Sequence, residues 1–326
     1  MKEAVLAILK QQEGSFVSGQ AISRGLSVSR AAVWKDIKAL QDDGFQIEAV
    51  PRRGYRLTGG PDRLLKGSVL PLLERDHADS LICLKTVDST NNFAKALSGR
   101  DGQERLYITA EEQTGGRGRR GRSFYSPAGL GLYLTGLYHP QSLPPFLSNF
   151  TAYVAVAVCL AIEKTCGFRP AIKWPNDILF DGRKLCGILT ELAFEGESGA
   201  VQYLITGMGI NVGQQPEDFP EDIREIAGSL AMAGARPQLS RLCAVLINEL
   251  DKAYDAFLNS DPQYRSLYRE RCSTLGQAVY ILSGQQKSAV FAEDLAEDFG
   301  LIVRREDGSR ETVYAGEVSV RTPPRP

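Results

Sequence analysis

Histidine is nearly absent from this sequence, and its scarcity argues against two kinds of site. Of 326 residues, only His77 and His139 are histidine. A histidine-rich metal site or a Ser-His-Asp triad would have little material to be built from. Cysteine is also sparse: the six cysteines form no CxxC pair, and most lie in apolar runs. They are typical of reduced core residues in a cytosolic protein.

Long hydrophobic runs and an excess of one charge are missing as well. The most apolar run, residues 153–162, is too short to span a bilayer. The first ten residues contain only a short apolar run at helical spacing, so no signal segment is expected. The formal net charge is −1, and contact with nucleic acid therefore requires a local basic patch. We expect a cytoplasmic protein without a membrane segment.

Residues 1–60 have the element order of a winged helix-turn-helix. Three short helical patterns precede two β-like runs that flank residues 51–54, and Ser18 and Ser29 can cap the second and third helices. The segment has nine Lys/Arg and six Asp/Glu, a local charge of +3. A unit of this kind places its third helix in the major groove of DNA and its wing alongside.

The residues predicted to bind DNA lie on the third helix and in the wing: Ser29, Arg30, Trp34, Lys35, Lys38, Arg52 and Arg53. The alternative is a three-helix packing module whose basic residues are only solvated. A tryptophan on this helix is also more often a core residue than a DNA contact.

The stretch Gly115 to Phe124 holds four glycines and four arginines in ten residues. Glycine lets a ligand approach the backbone N–H groups closely, and arginine supplies forked donors that match phosphate and carboxylate. The stretch lies between two apolar runs, residues 106–110 and 130–137, which are typical of strands. The pattern favours a loop that wraps an anion, and the alternative is a solvated or RNA-binding basic loop.

Two further patterns in the body of the chain suggest a ligand site. Residues 88–92, Asp-Ser-Thr-Asn-Asn, separate a strand from a helix and suit either a small polar ligand or simple helix capping. Lys173 and Lys184 are embedded in apolar strand sequence, so each requires an anionic partner or extends to the surface. Short strand patterns after residue 271 predict a small β-barrel.

Together these motifs resemble the bifunctional biotin protein ligases that also repress the biotin operon. The most specific are residues 116–121 (Gly-Arg-Gly-Arg-Arg-Gly), 173–177 (Lys-Trp-Pro-Asn-Asp), 184–189 (Lys-Leu-Cys-Gly-Ile-Leu) and 207–211 (Gly-Met-Gly-Ile-Asn). Residues 88–91 and 29–35 support them, and the similarity covers essentially the whole length.

The resemblance implies an α+β multidomain fold with a central mixed-sheet biotin/lipoate ligase-like catalytic domain and a small SH3-like β-barrel. The expected boundaries are 1–60 for the winged helix-turn-helix, 61–80 for a linker, 81–272 for the catalytic domain, 273–321 for the C-terminal β domain and 322–326 for a tail.

The resemblance also implies a two-step activity. Biotin and ATP, with Mg²⁺, give biotinyl-5′-AMP, and the biotinyl group then passes to a lysine of the biotin carboxyl carrier protein. The adenylate is expected to act as corepressor of biotin synthesis genes, through a homodimer on operator DNA. The metal ligands are unknown.

Site residues follow from the same resemblance, position by position. Lys184 and Arg119 are expected to be catalytic. The predicted biotin-binding residues are Ser89, Thr90, Asn91, Gln113, Arg117, Gly118, Arg119 and Lys184. The predicted adenylate-binding residues are Arg119, Arg122, Phe124, Asn176, Asp177 and Asn211. In this arrangement the glycine-arginine loop is a lid over the acyl-adenylate, and Cys186 is a small core residue.

Two rival functions are considered. One is a transcription factor whose ligase-like body only senses a ligand, which would have less reason to keep Lys184 and the arginines of the loop. The other is a lipoate-type ligase, against which the glycine-arginine loop argues because it resembles the biotin branch.

Overall fold

A computed structural model describes residues 1–99, 104–140, 146–194, 201–283, 286–314 and 317–320. The tail predicted at 322–326 lies outside these ranges. None of the helices in the described ranges is both long and apolar enough to cross a membrane.

The N-terminal unit is the predicted winged helix-turn-helix. Its elements are α1 (Lys2–Gln11), α2 (Gly19–Gly25), α3 (Arg30–Asp42), β1 (Gln46–Val50) and β2 (Gly54–Gly59). Ser18 and Ser29 cap α2 and α3, since each hydroxyl accepts a hydrogen bond from a backbone N–H three residues on. Val33, Ile37 and Leu40 form the buried face of α3. The opposite face of this helix therefore remains available to a partner.

The segment predicted as a linker is packed rather than extended. It forms α4 (Lys66–Val69) and a short 3₁₀ turn, Leu70–Leu72. Asp62 accepts hydrogen bonds from the backbone N–H groups of Leu239 and Ser240. Arg63 forms an ion pair with Glu111, with Nε and Oε1 3.0 Å apart. The segment thus joins the N-terminal unit to the body by specific polar contacts.

The body is a seven-stranded mixed sheet with helices on both faces. Its strands are β3 (Leu81–Val87), β4 (Arg105–Gln113), β5 (Gly131–Tyr138), β6 (Ala171–Lys173), β7 (Asp177–Phe180), β8 (Arg183–Phe194) and β9 (Val201–Asn211), in the order β3-β4-β5-β9-β8-β7-β6. Only the β3–β4 pair is parallel among these described strands.

Side-chain alternation divides the helices between the two faces. The helices are α5 (Thr90–Leu97), α6 (Phe150–Cys166), α7 (Leu239–Leu258) and α8 (Pro262–Arg271). Along β4, Tyr107 belongs to the large core with α6 and α7, whereas Leu106 and Ile108 belong to the smaller cluster with α5. The apolar helix α6 is therefore buried as predicted, and α5 packs on the other face, where its N-terminus faces the glycine-arginine loop.

The C-terminal unit is a five-stranded antiparallel sheet. Its strands are β10 (Ala278–Ser283), β11 (Gln286–Leu295), β12 (Leu301–Arg304), β13 (Arg310–Val313) and β14 (Glu317–Val320), in the order β13-β12-β11-β10-β14. The sequence patterns anticipated the first four strands but not β14. The sheet is consistent with the expected SH3-like fold, and its closure into a barrel stays a prediction.

Candidate active site and DNA-binding face

A cavity of about 260 Å³ lies beside the N-terminus of α5 and is covered by the glycine-arginine loop. The sequence-predicted residues that line it are Ser89, Thr90, Asn91, Gln113, Arg117, Gly118, Arg119, Arg122, Phe124, Asn176, Asp177 and Lys184. Asn211 is not among the described lining residues. Segments far apart in the chain thus meet at one site.

The floor of the cavity consists of polar side chains that are joined by hydrogen bonds. Thr135 Oγ1 lies 2.7 Å from Thr90 Oγ1 and 2.8 Å from Asn91 Oδ1. The backbone N–H of Thr90 donates to Gln113 Oε1 at 2.9 Å, and Gln113 Nε2 donates to Ser126 Oγ at 2.9 Å. The Thr135 hydroxyl has one proton, so it can be donated fully to only one of these two acceptors at a time. The other acceptor can therefore form a hydrogen bond with a polar ligand.

Ser89 bears on the two alternatives weighed for residues 88–92. It occupies the N-cap position of α5 and is buried, but within the described chain its side chain makes no capping hydrogen bond. The residue also lines the cavity. A capping hydrogen bond therefore does not account for this side chain, and its contact with a ligand stays a prediction.

The lid, residues 116–124, is fastened to the body through its arginines. Arg117 Nη1 donates to Asn92 Oδ1 at 3.0 Å, and its Nη2 lies 3.1 Å from Glu191 Oε1. Arg119 Nη1 donates to Asn176 Oδ1 at 2.8 Å. Asn92 also donates to Asp88, and this hydrogen bond lowers the pKa of Asp88. The arginines of the lid thus line the cavity and are held to the body by polar side chains.

Lys184 has the anionic partner that its apolar sequence context predicted. Its Nζ lies 2.7 Å from Asp177 Oδ1, and both side chains are partly exposed to the cavity. Behind it, Asn211 is buried and donates to the carbonyls of Gly228 at 2.9 Å and Lys184 at 3.4 Å. Asn211 therefore holds the backbone of Lys184 in place.

Phe124 lines the cavity, and its ring lies against bare backbone of β9. A Cβ atom added at Gly209 would lie 2.4 Å from the Phe124 ring. The glycine therefore permits the ring to lie directly on β9. A planar aromatic surface next to arginines suits a purine base.

The C-terminal unit completes the site. Leu282 of β10 lines the cavity, and the Trp174 indole N–H donates to the carbonyl of Phe299 at 3.0 Å. Trp174 is itself 3% exposed and lines the cavity. The predicted boundary at residue 272 therefore separates residues that share one site.

Glu191, Thr135 and Ser126 take part in the site although no sequence motif named them. Glu191 and Thr135 are polar residues within apolar strand runs, and this is the signal that could have found them. Ser126 follows the lid and carries no such signal.

Cys186 is buried, and burial raises the pKa of its thiol, which agrees with a core role and not with that of a nucleophile.

The predicted DNA-binding residues are all exposed in the N-terminal unit. They are Ser29, Arg30, Trp34, Lys35 and Lys38 on α3 and Arg52 and Arg53 in the wing. Trp34 is 57% exposed, so it is not a core residue, and the Lys38 ammonium lies 6.0 Å from its ring centroid. Arg53 lies over the ring of Phe16, at 4.1 Å from the centroid. The basic side chains of the helix and of the wing are thus accessible, and their contact with DNA stays a prediction.

Comparison with known proteins identifies each part of the chain. Residues 2–56 match an HTH domain model, residues 83–211 match the biotin/lipoate A/B protein ligase family, and residues 274–321 match the biotin protein ligase C terminal domain.

Named relatives and a solved structure agree with these matches. The bifunctional ligase/repressor BirA of Bacillus subtilis is 38% identical over 234 residues, covering 72% of this chain and 71% of that protein. BirA of Escherichia coli is 28% identical over 312 residues, covering 95% and 94%. The biotin protein ligase of Aquifex aeolicus, in complex with biotin and ATP, superposes with a TM-score of 0.63 at 29% identity, covering 74% of this chain and 98% of that one. The chain therefore belongs to the biotin protein ligase family, in the form that carries an N-terminal helix-turn-helix domain.

Proposed function

We propose that this chain activates biotin with ATP and transfers the biotinyl group to a lysine of a biotin carboxyl carrier protein. A carboxylate oxygen of biotin attacks the α-phosphorus of ATP, and pyrophosphate leaves. The amine of the acceptor lysine then attacks the acyl carbon, loses a proton, and AMP leaves as the amide forms. The observation that carries the proposal is one cavity in which Lys184 and the lid arginines face a polar floor.

The floor is suited to the ring system of biotin. Ser89, Thr90, Asn91 and Gln113 offer hydroxyl and amide groups. Thr90 is already oriented by hydrogen bonds to Gln113, and Thr135 donates to both Thr90 and Asn91. A ligand that is polar at one edge and apolar elsewhere can bind there without leaving a buried polar group unpaired. We therefore assign this part of the cavity to biotin and the part beside Phe124 to adenine.

Lys184 and Arg119 are the proposed catalytic residues. The reaction brings a carboxylate to a polyanion, and negative charge concentrates on the α-phosphate in the transition state. Lys184 supplies a positive charge that is held in place by Asp177 at 2.7 Å, and Arg119 is held by Asn176 at 2.8 Å. Oriented cations of this kind stabilise developing charge without further reorganisation. Arg117, Gly118 and Arg122 complete the lid that keeps water from the mixed anhydride.

We propose that Mg²⁺ enters the site together with the nucleotide. Across the described ranges, no three His, Cys, Asp or Glu side chains cluster in a way that could hold a metal ion. Magnesium commonly uses one or two carboxylates together with substrate phosphates, and Asp177 is a carboxylate that lines the cavity. When bound, the ion would neutralise phosphate charge beside this side chain.

We further propose that the protein is a repressor of biotin synthesis genes with biotinyl-AMP as corepressor. The exposed basic face of α3 and the wing supports operator binding. A two-fold operator would be matched by a homodimer of the adenylate-bound protein, and sedimentation with and without biotin and ATP tests this step. Such a protein would act in the cytoplasm, where its DNA and carrier partners are found.

The experiment that tests the enzyme proposal uses the full chain with biotin, ATP, Mg²⁺ and a carrier domain. We expect the mass of one biotinyl group on a single carrier lysine, and none when ATP is omitted. Lipoate in place of biotin tests the lipoate-ligase alternative. Absence of the adduct at every biotin concentration, with intact operator binding, would support the sensor alternative instead.

Charge removal on the DNA face gives a second expected result. Lys35→Ala, Lys38→Ala or Arg53→Ala should weaken binding to a short duplex of arbitrary sequence. Removing one cation that neutralises a phosphate should lower the slope of log affinity against log salt by about 0.9. The measurement is fluorescence anisotropy across a salt series, with Lys10→Ala as the control because Lys10 lies on α1, near Glu13. Equal slopes for all variants would rule out this face.

A further inference from the structure

Glu191 connects the floor of the cavity to the lid. Its Oε2 accepts a hydrogen bond from Asn91 Nδ2 at 3.0 Å, and its Oε1 lies 3.1 Å from Arg117 Nη2. Asn91 is 5% exposed and belongs to the floor, whereas Arg117 is the first arginine of the lid. One carboxylate therefore touches both a residue that a ligand would contact and the loop that would close over it.

The polar chain continues beneath the cavity and returns to the far end of the lid. From Thr135 it runs through Thr90 and Gln113 to Ser126, in hydrogen bonds of 2.7 to 3.0 Å. Ser126 Oγ then donates to the carbonyl of Phe124 at 2.9 Å. The two ends of the lid are thus attached to the same floor residues.

The base of the lid closes this ring of contacts. The backbone N–H of Phe124 donates to the carbonyl of Gly116 at 2.9 Å, next to Arg117. The hydrogen bonds of the floor and of the lid therefore form one continuous ring. A ligand that displaces a hydrogen bond of the floor changes a ring to which the lid also belongs. Within the ring, the Glu191–Arg117 contact joins two charged groups and is the step at which floor and lid meet directly.

We propose that Glu191 is a positioning residue that couples occupancy of the cavity floor to closure of the lid. This inference rests on the proposed function, because it takes biotin as the floor ligand. Biotin fixes Asn91, Asn91 fixes the Glu191 carboxylate, and the carboxylate holds Arg117 over the cavity. Glu191 does not contact the reacting atoms. Its role is to lengthen the time for which the acyl-adenylate stays bound.

Lid closure can be measured without the reaction, because the lid offers trypsin four arginines: Arg117, Arg119, Arg120 and Arg122. In the wild type, biotin alone should slow cleavage within the lid. In Glu191→Gln, which keeps an oxygen for Asn91 but loses the charge, cleavage should be equally fast with and without biotin. In a single-turnover experiment, preformed acyl-adenylate should dissociate from Glu191→Gln about tenfold faster than from the wild type. A factor of this size corresponds to the loss of one charge-assisted hydrogen bond.

The matched control is Glu293→Gln, because Glu293 is also a strand glutamate paired with arginine, at 2.7 Å from Arg310, but lies in the C-terminal sheet. It should behave as the wild type in both assays. Arg117→Gln breaks the same contact from the lid side, and the double variant with Glu191→Gln should be no worse than either single variant.

The outcomes separate the inference from the function on which it rests. If Glu191→Gln keeps wild-type protection by biotin and wild-type adenylate retention, the coupling role is wrong while the ligase remains. Additive effects in the double variant would also overturn it. If the wild type forms no adenylate at all, the proposed function itself fails.

Discussion

Replacing Lys184 with alanine should lower the rate of biotin adenylation by about a hundredfold to a thousandfold, the usual cost of removing one oriented charge-stabilising group. The effect has two parts. The cation 2.7 Å from Asp177 disappears, and the Asp177 carboxylate is then left facing the incoming phosphates without its partner. Biotin-dependent exchange of pyrophosphate into ATP measures the first step directly.

A surface lysine in the same body provides the control for this variant. Lys85→Ala removes an exposed side chain from β3 and should leave the exchange rate unchanged. Lys184→Arg keeps the charge but changes its geometry, so it should recover part of the rate. An exchange rate for Lys184→Ala within a few-fold of the wild type would show that this lysine does not stabilise the transition state.

Gly207→Ala should weaken biotin binding by about a hundredfold, because one added methyl group would collide with the floor of the cavity. The new Cβ would lie 2.1 Å from Asn91 Oδ1 and 2.9 Å from its Cγ. Asn91 has little room to move, since Thr135 and Glu191 hold it by hydrogen bonds of 2.8 and 3.0 Å. Overpacking of this kind costs about 1–3 kcal/mol, and calorimetric titration with biotin measures it.

Gly99→Ala is the matched control for this substitution. Among the described residues, nothing lies within 4 Å of a Cβ at Gly99, so the same methyl group should have no effect on biotin affinity there. Thermal melting of both variants distinguishes a local effect from a general decrease in stability. If Gly207→Ala binds biotin as tightly as the wild type, Asn91 is not part of the biotin site.

Local chemistry made much of the fold predictable. The capping serines of α2 and α3, the apolar helix α6 and the hairpin strands around Lys184 all follow from short-range patterns that the structure bears out. The residues that the resemblance named for biotin and the adenylate line the cavity with one exception, since Asn211 lies behind the cavity wall. Their individual roles stay predictions.

The unpredicted features depend on segments that are remote in sequence. Leu282 reaches the cavity from the C-terminal sheet, and Glu191 meets Arg117 across 74 positions. Such pairs arise from the register of β8 and the packing of the two units, which no local pattern records. Nothing in the sequence around these residues marks them as functional. Their roles become evident only when the fold brings them together.

The contact between Asp62 and the start of α7 limits where the gene can be shortened to remove the DNA-binding unit. The carboxylate accepts the backbone N–H groups of Leu239 and Ser240, which the first turn of a helix leaves unpaired. The longest of the described helices of the body, 20 residues, is therefore begun by a residue from the junction with the DNA-binding unit. A deletion that removes the DNA-binding unit must therefore spare Asp62, because a gene that starts just after Asp62 loses this cap, whereas one that starts just before it retains the cap.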